Sequence, residues 1–147
     1  MFLLILISYL LMIITTALLF LTGFQGLARV NIYGINHSEI GLLTTMIFVL
    51  TESFILTFIS ALVKSIMNTK TIKNTHQLAN TRSLIYKNGI LSVLWITIVF
   101  LLGGAVDTNL IKPFFHGMIF FLGLIHFFYT LKLQNNAFKV CLQLINE

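Results

Sequence analysis

The sequence predicts an all-α integral membrane protein, a bundle of four transmembrane helices with both termini on the cytoplasmic side. Of its 147 residues, 58% are apolar and only 9% are charged, whereas a soluble domain carries roughly 25% charged residues. So few charges cannot cover a water-facing surface. Four long apolar stretches supply the spans, and the basic residues are concentrated in two of the segments outside them. The length fits one membrane domain over residues 1–147.

The first span is predicted over residues 2–24. This uncharged run would form a helix of about 34 Å, longer than a hydrocarbon core of about 30 Å. No basic residue precedes Arg29 and no clean cleavage site follows the run. We therefore interpret it as an uncleaved helix and not as a signal peptide.

The other spans are predicted over residues 40–63, 90–106 and 114–131. Residues 64–89 form the longest polar segment and are predicted as a cytoplasmic loop near lipid headgroups, with a surface helix over 75–86 as the alternative. The tail, residues 132–147, has apolar residues at helical spacing. It is predicted to extend the fourth helix as an amphipathic segment that lies on the membrane or on a partner.

The distribution of positive charge predicts how the chain is threaded. Seven of the nine basic residues fall in the segment 64–89 and in the tail. Only Arg29 and Lys112 fall in the other two connections. Basic residues are enriched on the cytoplasmic side of membrane proteins, so both termini and the segment 64–89 are predicted to face the cytoplasm or the mitochondrial matrix.

Glu52 is the only acidic residue inside a predicted span. A lone carboxylate there costs at least about 2.5 kcal/mol, so the group should be protonated or paired. Counted from the start of its span, His126 lies as deep as Glu52, about 18 Å down. This predicts a buried polar pair between Glu52 and His126. The alternative is a protonated Glu52 that hydrogen-bonds to Thr45 or to a neighbouring subunit.

His37 and His116 are predicted to lie near the outer membrane surface on different helices. Two such histidines could ligate a b-type haem, although histidines hydrogen-bonded to carbonyl groups or lipid headgroups would give the same pattern. No histidine pair has the spacing typical of zinc sites, so no metal site is predicted. No catalytic residues are predicted either, because nucleotide-binding loops, CxxC, HExxH and nucleophile-elbow motifs are all missing from the sequence.

The stretch GGAVDTNLIKPFFHG, residues 103–117, resembles a group of uncharacterised small bacterial four-span proteins. In that group a glycine pair, an Asp-Thr turn, a proline and a histidine recur in this order. The group often has a histidine where this chain has Glu52, so the resemblance implies the architecture and no shared haem or metal site. It implies no activity.

These features predict a non-catalytic accessory subunit of a larger membrane complex, of a respiratory or other energy-transducing kind, in a bacterial or mitochondrial inner membrane. Its expected partners are the lipid bilayer and other membrane subunits, with the tail as a docking helix. No cofactor and no nucleic acid is predicted. One alternative is a haem b electron carrier using His37 and His116. Another is a small proton-coupled carrier using Glu52 and His126.

Overall fold

The computed structural model contains four long helices. It describes residues 2–28, 30, 34–69 and 75–146. The helices are α1 (Phe2–Ala28), α2 (His37–Thr69), α3 (Thr75–Asp107) and α4 (Pro113–Asn146). Each is long and apolar enough to cross a membrane, which confirms the predicted all-α membrane fold with four spans. Helices of 27 to 34 residues measure about 40–51 Å, longer than a hydrocarbon core of about 30 Å.

The helices pack in sequence around the bundle. α1 contacts α2, α2 contacts α3 and α3 contacts α4, and smaller contacts join α4 to α2 and to α1. We call one end of the bundle the histidine end, because His37 and His116 lie there in the first turns of α2 and α4. The opposite end is the basic end, and its described cations are Lys64, Arg82, Lys87, Lys132 and Lys139.

Local sequence signals set the helix boundaries at the histidine end. The Asn36 side chain accepts a hydrogen bond from the Glu39 amide, and the Glu39 carboxylate accepts one from the Asn36 amide, both at 2.9 Å. This reciprocal pair is a capping box for α2. Between α3 and α4, Asn109 adopts a φ of 58°, a left-handed conformation that asparagine tolerates. Pro113 then begins α4, a position where its missing amide costs nothing.

The predicted loop over residues 64–89 is largely helical. α2 continues to Thr69 and α3 begins at Thr75, so only residues 70–74 separate the two helices, and they lie outside the described part of the chain. Leu78 and Ile85, seven residues apart, are buried at 1% and 2% exposure. The described polar side chains of this segment are not buried, whereas Leu78 and Ile85 pack into the bundle. The alternative prediction over residues 75–86 is a surface helix, whereas the structure makes this stretch part of α3 and of the core.

The tail continues α4 without interruption as far as Asn146. Its apolar face is buried within the chain itself, since Ala137, Phe138 and Cys141 are at most 1% exposed. The Phe138 ring packs against the rings of Tyr9 and Phe58. The amphipathic pattern that predicted a docking tail is thus explained by packing against the chain's own helices.

The core has two parts, one towards each end. The smaller cluster lies in the half nearer the histidine end and comprises Leu19, Phe48, Ile96 and Phe127. The larger one lies towards the basic end. Its buried members come from all four helices: Ile5, Met12, Ile55, Leu56, Ile59, Leu62, Val63, Ile66, Leu78, Ile85, Ala137, Phe138 and Cys141. The helical extensions beyond the predicted spans therefore contribute much of the core.

Candidate functional site in the bundle interior

Glu52 is enclosed in the bundle, with 1% of its surface exposed. Its Oε2 atom accepts a hydrogen bond of 2.8 Å from Nε2 of Gln134, which lies on α4 and is fully buried. The other carboxyl oxygen of Glu52, Oε1, and the amide oxygen of Gln134 have no hydrogen-bond partner within the described chain. The pair joins α2 to α4 and places an ionisable group deep inside the bundle.

His126 is placed elsewhere and does not pair with Glu52. Its Nδ1 atom lies 3.1 Å from the Ser92 hydroxyl, which lies 2.9 Å from the Thr130 hydroxyl. This group joins α3 to α4, and Nε2 of His126 is buried with no partner within the described chain. The predicted Glu52–His126 pair is therefore not formed in the structure.

The prediction of this pair is wrong because residues counted from the start of each span share a depth only if the second and fourth spans begin at one level and meet squarely. Gln134, the partner that Glu52 does have, lies eight residues beyond His126. That is about 12 Å farther along α4 and about 80° around it. An offset of two turns between helices is a tertiary property, and hydropathy does not report it.

Hydroxyl groups at heptad spacing join α1 to α2. Ser8, Thr15 and Thr22 are seven residues apart along α1 and are all buried. The hydroxyls of Thr15 and Thr51 are 2.9 Å apart, and those of Thr22 and Thr44 are 2.7 Å apart. Seven residues return to nearly the same side of a helix, so this spacing keeps the polar residues on the seam between the two helices.

His37 and His116 come together at the histidine end. Their ring centroids are 6.1 Å apart and their planes are inclined by 75°. Both Nδ1 atoms are buried with no partner within the described chain. Nearby, the Ser38 hydroxyl donates a hydrogen bond of 2.6 Å to Asp107, joining α2 to α3.

Glycines bring helix backbone against both imidazoles. A Cβ atom added to Gly26 would lie 2.9 Å from Cε1 of His37, and one added to Gly103 would lie 3.4 Å from Cε1 of His116. A porphyrin on these histidines would extend several ångströms sideways from its iron, into volume bordered by α1 and α3. The packing around the two imidazoles therefore does not fit a haem, although their separation alone would.

A small cavity of about 10 Å³ lies in the interior beside Ser92. A cavity must have at least about 10–15 Å³ to hold one water molecule. The residues around it come from all four helices: Leu19, Phe48, Ser92, Trp95, Ile96, Val99, Phe120, Gly123, Leu124 and Phe127. The cavity has room for one water at most and is mainly apolar.

The remaining ionisable candidates do not assemble into a metal centre. Within the described ranges, no three His, Cys, Asp or Glu side chains are grouped so that they could hold a metal ion. The thiol of Cys141 is buried and unpaired. The side chain of His76 and the residues Arg29, Lys70, Lys73 and Glu147 lie outside what the structure describes.

Comparison of the chain with protein-family models, with curated proteins and with solved structures yields no match. Fold and geometry define the class directly: a multi-pass, all-helical membrane protein with polar side chains paired across its helix interfaces.

Gln134 is one of the buried polar residues that the sequence did not predict. The others that pair across helices are Thr15, Thr22, Thr44, Thr51, Ser92 and Thr130. Gln134 was assigned to the tail, outside any span, and was not considered as a partner for Glu52. A signal was present, because Gln134, Ala137, Phe138 and Cys141 follow one another at spacings of three, one and three residues. That pattern places Gln134 on the buried face of its helix.

Proposed function

We propose that this chain is a non-catalytic accessory subunit of a larger integral-membrane complex. The observation that carries the proposal is the use of the interior polar groups, which join helices in pairs. Thr15 with Thr51, Thr22 with Thr44 and Gln134 with Glu52 each connect two helices directly. Because these interior groups hold the helices together, the outer surface is the part of the molecule that is available to bind other subunits.

The spacing of these contacts supports a structural role over a conducting one. Thr44 and Thr51 are seven residues apart, about 10 Å along α2. A hydrogen bond spans about 3 Å, so neighbouring hydroxyl pairs do not pass a proton directly to each other. Phe48 lies between these two levels and is 2% exposed, which fills the gap with an aromatic ring.

The outer surface is suited to a membrane complex. Large apolar side chains are exposed along α4, and among them Phe114 is 70% and Phe121 is 62% exposed. The connections between helices are too short to form a separate domain. Ionisable groups inside a bilayer often mark ion pathways or proton relays. This supports our proposal that the complex is an energy-transducing one of a bacterial or mitochondrial inner membrane.

Blue-native electrophoresis of mildly solubilised membranes, followed by mass spectrometry of the band, tests this proposal. The tagged chain should migrate in a band far larger than its own 16.7 kDa and should bring defined membrane subunits with it. Migration as the free chain, at the same mild detergent concentration that preserves known complexes, would contradict the proposal.

A second candidate function is proton exchange at Glu52. The observation in its favour is that Oε1 of Glu52 is buried and has no hydrogen-bond partner within the described chain. This atom can therefore accept a proton, or a hydrogen bond from a water molecule. The substitution Glu52→Gln keeps the shape and the contact with Gln134 but removes ionisation. Loss of complex activity or proton movement in this variant, with assembly intact on the native gel, would favour the second candidate. Normal activity favours the first.

A further inference from the structure

A groove between α2 and α3 at the basic end has the features of a lipid site. Its volume is about 300 Å³, and it is lined by Met67, Ala79, Arg82, Ser83 and Tyr86. The Arg82 side chain is exposed and borders the groove, where a lipid headgroup can reach it. The groove therefore combines a guanidinium group, two hydroxyl groups and apolar walls in one place.

The depth of the groove matches the edge of a bilayer. Measured along α3 from Asp107, Tyr86 lies about 31 Å away and Arg82 about 37 Å away. A hydrocarbon core is about 30 Å thick, and a bilayer with its headgroups measures about 40–45 Å. Tyr86 thus reaches the boundary of the core, where aromatic residues are enriched, and Arg82 lies at the headgroup level.

The charge around the groove favours an anionic occupant. The basic end carries five described cations, named above, with Lys87 one residue from Tyr86 in the sequence. Of the acidic residues that the structure describes, Glu39 and Asp107 are at the histidine end and Glu52 is enclosed. The described part of the basic end is therefore positively charged with no acid beside the groove.

We infer that the groove binds one anionic phospholipid molecule. The Arg82 guanidinium donates paired hydrogen bonds to the phosphate, a geometry that favours arginine over lysine. The Ser83 and Tyr86 hydroxyls supply further donors, and the acyl chains run from the groove along the apolar surfaces of α2 and α3. Basic pockets between transmembrane helices are a known type of site for anionic headgroups. This inference does not depend on the proposed function.

Native mass spectrometry of the full chain in a neutral detergent tests the inference, because such micelles have no charged surface of their own. Dioleoylphosphatidylglycerol and dioleoylphosphatidylcholine are titrated separately. The chain should retain one phosphatidylglycerol with at least about fivefold preference, the effect of one basic side chain near an anionic lipid. Arg82→Gln should abolish the preference, and Lys139→Gln, which removes a charge from α4 at the same end, should keep it.

Three outcomes would overturn the inference. The first is equal retention of the two lipids by the unaltered chain. The second is an equal loss in Lys139→Gln and Arg82→Gln, which would indicate diffuse attraction and no built site. The third is complete displacement of the lipid by millimolar inorganic phosphate, which would indicate a site for free anions.

A conservative variant keeps the test decisive if Arg82→Gln does not fold. Arg82→Lys retains the positive charge but loses the planar pair of donors. It should bind phosphatidylglycerol more weakly than the unaltered chain while keeping the same net charge. Unchanged binding by Arg82→Lys would also overturn the inference.

Discussion

Glu52 and Gln134 form a side-chain hydrogen bond between α2 and α4 in which the ionisable group is fully enclosed in the bundle. The amide donates to one carboxyl oxygen at 2.8 Å. Removing one partner leaves the other buried without its hydrogen bond, which costs about 1–3 kcal/mol in proteins. Within membranes the net value of such bonds averages about 0.6 kcal/mol, since an unfolded chain in lipid also finds partners.

Gln134→Leu should therefore lower the thermal stability of the purified chain, because it leaves Glu52 without a donor. Glu52→Leu should lower it by a similar amount, and the double variant should lose clearly less than the sum of the two. Circular dichroism during heating in one detergent measures all four proteins. Strictly additive losses would mean that the two side chains do not interact.

The sequence identified Glu52 as important but could not identify its partner. An acid within an apolar run is visible by inspection, and its burial follows from the cost of exposing a charge to lipid. The partner depends on how far α4 is shifted against α2. That shift is set by packing between the two helices, and Gln134 lay in a segment whose average polarity placed it outside the membrane.

Glycines set how closely the helices approach, and they differ in what they face. Gly26 of α1 faces the His37 ring of α2, where an added Cβ would be 2.9 Å from Cε1, whereas Gly104 of α3 has open space around it. Gly103 and Gly104 are adjacent on α3. Only Gly103 faces another side chain, His116, because adjacent residues on a helix point about 100° apart.

Gly26→Ala and Gly104→Ala should consequently have opposite effects on thermal stability. Replacing a helical glycine by alanine favours the helix by up to about 1 kcal/mol. Gly104→Ala should show this gain, while Gly26→Ala should lose stability because the added methyl group displaces the His37 ring. The same heating experiment compares them. A gain in both variants would show that the contact at Gly26 is loose.

The tail is part of the bundle, and Phe138 is its largest fully buried side chain. The tail is predicted to lie outside the fourth span because Lys132 and Lys139 lower the mean hydropathy of this segment. Both lysines are exposed while Phe138 is buried between them in sequence. Averages over a window therefore hide a buried helix face that is apolar apart from Gln134. For this reason the extensions of α2, α3 and α4 are predicted from the sequence as a loop and an amphipathic segment.

Phe138→Ala should destabilise the isolated chain by about 3–5 kcal/mol, the usual cost of removing a buried aromatic ring. Phe121→Ala is the matched control on the same helix, since Phe121 is 62% exposed, and it should change stability little. Thermal unfolding in detergent measures both. If Phe138→Ala weakens only the association with other subunits and leaves the isolated chain stable, the tail is a docking helix after all.

At the scale of the whole molecule, the two ends of the bundle differ in charge. Both described exposed acids, Glu39 and Asp107, lie at the histidine end. The cations at the basic end occupy two levels. Lys87 and Lys132 lie about 30 Å from the histidine end, and the others about 37–40 Å. This difference in charge between the two ends supports the proposed orientation, in which the basic end and both termini face the cytoplasm.

Labelling of single cysteines in intact cells tests that orientation, and the chain is well suited to it. Its only native cysteine, Cys141, is 1% exposed, so a membrane-impermeant maleimide should give little background. Leu110, in the turn between α3 and α4, is 78% exposed. Leu110→Cys should therefore react from outside the cell, because the proposed orientation places the histidine end there.

Asn74→Cys is the complementary control, because Asn74 belongs to the connection between α2 and α3, which the proposed orientation places in the cytoplasm. It should react only after the cells are permeabilised.

A reporter fused after Glu147 should likewise be active only on the cytoplasmic side, because an even number of spans brings the terminus back to the side on which the chain began. Labelling of Asn74→Cys in intact cells, with Leu110→Cys protected, would reverse the orientation. The positive charges at the basic end would then face away from the cytoplasm, against the rule that predicted their side.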